Sequence, residues 1–194
     1  MLPCPHASVT INEMTPDERQ YAAAYLERTK SVLLEATANL TESQWFFKPT
    51  PADWSPAECV EHLAITEGFI VGTIRKLADN APDAPDVLAS CAGKEALIEK
   101  RVPRRGFKAQ APEQARPRGQ FATHGEVIQC FLATRDASID YARTTAHPIR
   151  EHTFPHFVFG PLDGYQWLIF CAAHTERHLA QLLEAIEAEG RSKL

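Results

Sequence analysis

Four long stretches of this chain space their apolar residues at helical intervals. Tyr25, Val32, Leu33 and Ala36 form the first stripe, and Leu63, Ile70, Ile74 and Leu77 the second. Val127, Ile128, Phe131 and Ile139 form the third, and Trp167, Phe170, Cys171, Leu182 and Ile186 the fourth. Side chains three and four residues apart share one face of a helix. Each stripe is preceded by a helix-start signature: Thr15-Pro16-Asp17-Glu18, Ser55-Pro56-Ala57-Glu58, Thr123-His124-Gly125-Glu126 and, in looser form, Asp163-Gly164-Tyr165-Gln166. In such a box the first side chain caps a free backbone N–H and the fourth reaches back to the cap, while proline suits the first helical position. Trp54 stands where it can staple the second start. Thr41-Glu42-Ser43-Gln44 reads as one extra turn between the first two helices.

Four amphipathic helices without alternating strand patterns predict an all-α helical bundle. His152 to Phe159, rich in β-branched and aromatic residues, reads as an extended segment over one end of it. The second and third helices are joined by a stretch from Asn80 to Ala122, too long for a hairpin, which predicts a crossover with a short helix near Lys94–Lys100. It carries Pro82, Pro85, Pro103, Pro112 and Pro117. It also gathers Lys94, Lys100, Arg101, Arg104, Arg105, Lys108, Arg116 and Arg118. Such a segment reads either as a solvated loop or as a flap that draws in an anionic substrate. No internal repeat or second domain is visible, so residues 1–194 read as a single domain with its core at about 15–188.

Composition narrows the function more than the fold. With 194 residues, 44% hydrophobic and 23% charged, the chain can bury one sizeable core. A net charge of -5 argues against nucleic acid as a partner. No apolar run reaches the roughly 20 residues of a membrane span. The opening Met1-Leu2-Pro3-Cys4-Pro5-His6 lacks the basic and apolar regions of a secretory signal. Cysteines at 4, 59, 91, 130 and 171 are odd in number and fit no disulfide framework, which predicts a reducing, cytoplasmic setting. Cys59, Cys130 and Cys171 read as small buried hydrophobes. Ser192-Lys193-Leu194 matches a peroxisomal address, a three-residue signal that chance also produces.

The chemistry is concentrated in histidines. His174 and His178 stand four apart within the fourth stripe, and His62 lies beside Leu63 on the second. A histidine on an apolar face is most often a core residue bonded to a neighbour. An aligned pair with a third inward imidazole is a stronger pattern, because burying polar rings is costly unless they are partnered. Three neutral imidazoles with one open position are the ligand set of a catalytic zinc-type site. The motif is not His-Glu-x-x-His: Glu176 is two residues after His174, about 200° around the helix, so it faces solvent or a neighbouring helix. Nor is it a di-iron bundle, which needs several inward glutamates. His152 and His156, separated by Phe154-Pro155, read as loop residues, as do His124 and His147; His6 reads as part of a terminal tail. Cys171, three residues before His174, is the nearest thiol. Glu58 reads as a capping residue and Glu67 as facing partly away, so no carboxylate offers itself as a general base.

Trp54-Ser55-Pro56-Ala57-Glu58-Cys59-Val60-Glu61-His62-Leu63 and His174-Thr175-Glu176-Arg177-His178-Leu179-Ala180-Gln181 resemble the second-helix and fourth-helix signatures of the DinB/YfiT-like superfamily. Leu40-Thr41-Glu42-Ser43-Gln44 and Lys48-Pro49 resemble that family's link between the first two helices. The resemblance spans about residues 15 to 188. It implies an up-down-down-up four-helix bundle holding one divalent metal, zinc or nickel, on His62, His174 and His178. It also implies a small-molecule substrate, and a homodimer is a frequent assembly in such proteins. Activities in the family include thiol S-transfer, thiol-dependent isomerisation and assignments as metal-dependent hydrolases. The resulting expectation is a metal-dependent enzyme that activates a low-molecular-weight thiol, or water, for attack on a small molecule. The alternative is a non-catalytic metal-binding or structural dimeric bundle. Neither the substrate nor the thiol follows from the resemblance, because the basic crossover is longer than in the smallest members.

Overall fold

The computed structural model describes residues 13–106 and 110–192. Cys4, His6, Lys108 and the last two residues of the Ser192-Lys193-Leu194 ending lie outside them. Each anticipated cap starts a helix: α1 (Pro16–Thr37), α2 (Glu42–Phe46), α3 (Pro56–Leu77) and α6 (His124–Thr144). In all four the cap hydroxyl accepts from the fourth residue's N–H while that residue's side chain accepts from the cap N–H. Helix α7 (Gly164–Ser192) starts the same way, with Gln166 N–H on Asp163 Oδ1 at 2.8 Å and Asp163 N–H on Gln166 Oε1 at 3.3 Å. Gly164 is needed there, because a Cβ would lie 2.7 Å from the carbonyl oxygen of Ile149.

Helices α1 and α3 each pack along both α6 and α7, making an all-α bundle. Its core has two clusters. One joins Tyr25, Leu26, Ile70, Ile74, Ile139, Leu168 and Ala172. The other joins Leu33, Val60, Leu63, Val127, Phe131 and Leu182. Helices α3 and α6 thus send their N-terminal halves into the second cluster and their C-terminal halves into the first; α1 and α7 do the reverse.

At the level between the clusters lies a buried polar knot. Arg135 of α6 is 0% exposed and its Nη2 donates to Glu67 of α3 at 2.6 Å. It also donates to Thr175 of α7 and to Thr29 and the Leu26 carbonyl of α1. Glu67, expected to face partly away, is therefore at the centre of the bundle.

The crossover contains more structure than foreseen: α4 (Pro85–Ala89), α5 (Glu95–Arg101) and a 3₁₀ turn at Glu113–Ala115. Several of its cations are anchored. Arg105 reaches Gln181 and Glu184 of α7, and Lys94 donates to the Pro161 carbonyl at 2.6 Å. Among its described residues, Lys100, Arg101, Arg104, Arg116 and Arg118 stay exposed.

The segment around His152 is extended, as expected, but it forms half of a hairpin. β1 (Thr153–His156) pairs antiparallel with β2 (Gly160–Asp163), from Thr153 opposite Asp163 to His156 opposite Gly160. Gly160 sits at φ 69°, a backbone conformation that glycine adopts without penalty. Phe154 stacks on Trp167 at 4.2 Å, holding the hairpin to the start of α7. Val32 departs from its expected core role and is 41% exposed; Ala22, Leu26 and Thr29 carry the buried face of α1 instead.

Candidate metal centre

His62 comes from the second turn of α3; His174 and His178 come from successive turns of α7. The fold brings all three together. One ring nitrogen from each can be chosen so that all lie within 4.8 Å of one another. The Nε2 atoms of His174 and His178 are 3.0 Å apart. Two imidazole nitrogens bound about 2.0–2.1 Å from one tetrahedral zinc would be separated by about 3.3 Å, so the pair is close to a shared-ion spacing. Ring centroids are 5.1 Å for His62–His174, 4.6 Å for His62–His178 and 4.5 Å for His174–His178. The group could hold a metal ion.

Electrostatics keep these rings in the form a metal needs. Burial lowers the basicity of His62, opposed by its bond to the Ala115 carbonyl. Burial lowers His174 and His178 well below the ordinary histidine value, and the neighbouring histidines add to the effect. All three are therefore neutral near pH 7, with a lone pair available. His62 donates Nδ1–H to the Ala115 carbonyl at 2.6 Å. A carbonyl only accepts, so His62 keeps its lone pair on Nε2, the arrangement by which an outer hydrogen bond orients a metal ligand. His178 Nδ1 is buried and has no hydrogen-bond partner among the described residues.

Aromatic rings wall the site. Trp54, anticipated as a helix staple, packs against the second core cluster and also lies over the histidines, 4.8 Å from His62 and 5.8 Å from His178. Phe170, one turn before His174, stacks on it at 5.1 Å and 20°. The other face of Phe170's surroundings is His156, 4.9 Å away in a nest of Phe157, Phe159 and Trp167. His156, expected in a loop, instead ends β1 and is buried, and its Nδ1 accepts from the Val158 and Phe159 N–H groups.

Four carboxylates of α3 and α7 flanking the histidines are committed elsewhere. Glu58 caps Ser55 and binds Lys48, as its capping role predicted. Glu67 is held by Arg135. Glu176 turns to the neighbouring helix α1, where it accepts from Tyr25 and Arg28. Glu61 accepts two backbone N–H groups of the crossover, from Arg118 at 2.9 Å and Gly119 at 3.0 Å. Cys171 does not join the histidines: it is buried, and burial pushes its thiol well above the ordinary cysteine value.

Sequence reasoning found the three histidines but not Glu61 or the Ala115 carbonyl. The signal for Glu61 was an ionisable residue set between Val60 and His62; in the fold every position from Cys59 to Ala64 is buried. Ala115 could not be found, because a backbone carbonyl leaves no side-chain signature.

A helical bundle with three converging imidazoles at one level of its core defines the class of protein. This chain belongs to the DinB superfamily, matching it over residues 25–182. It is also similar to the uncharacterized protein YuaE of Bacillus subtilis (strain 168), with 25% identity over 140 residues, covering 72% of this chain and 82% of that one.

Proposed function

We propose that His62, His174 and His178 bind one divalent metal ion, zinc or nickel, and that the protein is a metal-dependent enzyme acting on a small molecule. The observation that carries this reading is the convergence of three neutral imidazoles within 4.8 Å. When bound, such an ion would acidify a water or thiol in its open position, yielding a nucleophile at neutral pH. The chain's own part is to hold three lone pairs, orient His62 through Ala115 and wall the site with Trp54 and Phe170.

Within that reading we favour activation of a low-molecular-weight thiol over hydrolysis. Glu58, Glu61, Glu67 and Glu176, the carboxylates of α3 and α7 nearest the rings in sequence, are all engaged, so none of these four is free to deprotonate water. A thiol bound as thiolate needs no separate base during attack. We further take residues 1–194 as one domain with its core at about 15–188, since all four long helices contribute to both core clusters. No helix among the described residues is long and apolar enough to cross a membrane, and a reducing cytoplasm suits the free thiols of Cys59, Cys91, Cys130 and Cys171.

The test is elemental analysis of the purified protein beside the His174→Ala/His178→Ala double variant. The expected result is about one equivalent of zinc or nickel in the former and none in the latter. Absence of metal after reconstitution with either ion would sink the reading and leave a structural bundle. Turnover with a panel of thiols and electrophiles, lost in His178→Ala with the fold retained, then separates an enzyme from a metal-holding protein without catalysis.

A further inference from the structure

The crossover is fastened to α3 through two adjacent residues. Glu61 is 2% exposed, and each of its carboxylate oxygens accepts one backbone N–H, from Arg118 on Oε1 and Gly119 on Oε2. His62 donates to the carbonyl of Ala115, three residues earlier in the same segment. Gly119 sits at φ 63°, which lets successive N–H groups turn toward one anion. A buried carboxylate is costly unless it is bonded. Hydrogen bonds to an ionised acceptor are roughly twice as strong as neutral ones. Glu61 therefore anchors a short stretch of chain whose carbonyl dictates which nitrogen of His62 carries the proton.

We infer that Glu61 is a positioning residue for the histidine group, acting through the crossover. The inference rests on the metal reading above. Glu61 touches neither His174 nor His178 and supplies no ligand. It holds residues 115–119 against α3, so that the Ala115 carbonyl keeps the proton on His62 Nδ1 and the lone pair on Nε2. Binding linkage is reciprocal: an ion on His62 favours the docked crossover, and the docked crossover favours the ion. The crossover is thus coupled to the state of the site rather than merely covering it.

The experiment uses the full chain, zinc as the only probe, and the variants Glu61→Gln and Gly119→Ala. A carboxamide offers one acceptor where the carboxylate offers two. An alanine at Gly119 strains the turn without touching the bundle. Zinc affinity is read by competition with a chromophoric chelator, crossover docking by amide exchange at Arg118 and Gly119, and the His62 tautomer by imidazole ¹⁵N shifts. Both variants are expected to keep the helical spectrum. They should weaken zinc binding by roughly 10–100-fold, as loss of an outer-shell partner does. Exchange at the two amides should speed up, and His62 should shift from pure Nδ1–H toward a mixture of tautomers. Zinc should slow the same amides in the wild type. Zinc affinity within twofold of wild type in both variants, with the amides released, would overturn the inference. So would a wild-type His62 protonated on Nε2. If the wild type takes up no metal, the metal reading fails by itself. The anchor is still decided in that case by whether Glu61→Gln releases the two amides and the tautomer in metal-free protein.

Discussion

At the scale of single residues, burial sets the protonation of this protein. His156 shows it outside the three-histidine group. Its nest of Phe157, Phe159, Trp167 and Phe170 cannot solvate a cation, and burial pushes its pKa down to about 4 from an ordinary 6.5. The folded form therefore binds fewer protons than the unfolded chain between these values. Stability from this residue is present in full above pH 6.5 and is lost as pH falls toward 4. One extra proton taken up on unfolding tilts stability by up to about 1.4 kcal/mol per pH unit. Urea titrations of metal-free protein across that window should show a slope shallower by up to one proton in His156→Phe than in wild type. The variant should also be less stable at pH 7, because Val158 and Phe159 lose their acceptor. An unchanged slope would mean that His156 is not held neutral by its nest.

At the scale of elements, the bundle is registered by the polar knot at Arg135. Its guanidinium bonds to residues of α1, α3 and α7 from α6, so all four helices meet in one network. Leaving one member of a buried ion pair without its partner typically costs about 3–5 kcal/mol, while replacing both with apolar residues costs much less. Glu67→Ala should therefore lower unfolding stability by about 3–5 kcal/mol. Arg135→Met/Glu67→Met should be more stable than Glu67→Ala, as read from denaturation midpoints at constant slope. The knot lies near the histidines: Thr175 follows His174, and Arg135 Nη2 also donates to the Cys171 carbonyl at 3.5 Å. It fixes how α7 sits against α3 and hence how His174 and His178 face His62. If the double substitution proved as destabilising as Glu67→Ala, the knot would be prized for shape rather than for satisfied charge.

At the scale of the whole molecule, the proposed ligands come from two helices, which would make metal binding and folding one equilibrium. An ion that binds only the folded chain stabilises it by about 2.7 kcal/mol at a hundredfold excess over its dissociation constant. For a chain of this size that corresponds to a rise of roughly 5–10 °C in Tm. Zinc or nickel should raise the midpoint by that amount and a chelator should reverse it. The His174→Ala/His178→Ala protein should respond to neither. A rise of equal size in that variant would place the stabilising ion somewhere other than the three histidines. The same coupling reaches the crossover through Glu61, so protection of residues 115–119 should follow the metal as the midpoint does.

The local features of this protein were legible in its sequence because they depend on neighbours along the chain. Caps at Thr15, Thr41, Ser55, Thr123 and Asp163 obey rules spanning four residues, and each appears where its box predicted. The pairing of His174 with His178 follows from helical spacing alone. Their meeting with His62 was legible only through the resemblance of two distant motifs, since spacing says nothing about how helices far apart in the chain approach. Tertiary structure alone decided the rest. It put Glu67 at the centre against Arg135, turned Trp54 over the imidazoles, closed the His152–Asp163 stretch into a hairpin and laid Ala115 on His62. Each of these joins groups with no periodic signature, and one of them is a backbone carbonyl. Their pairing is set by which surfaces the folded bundle leaves to be covered, a property that exists only once the helices have packed.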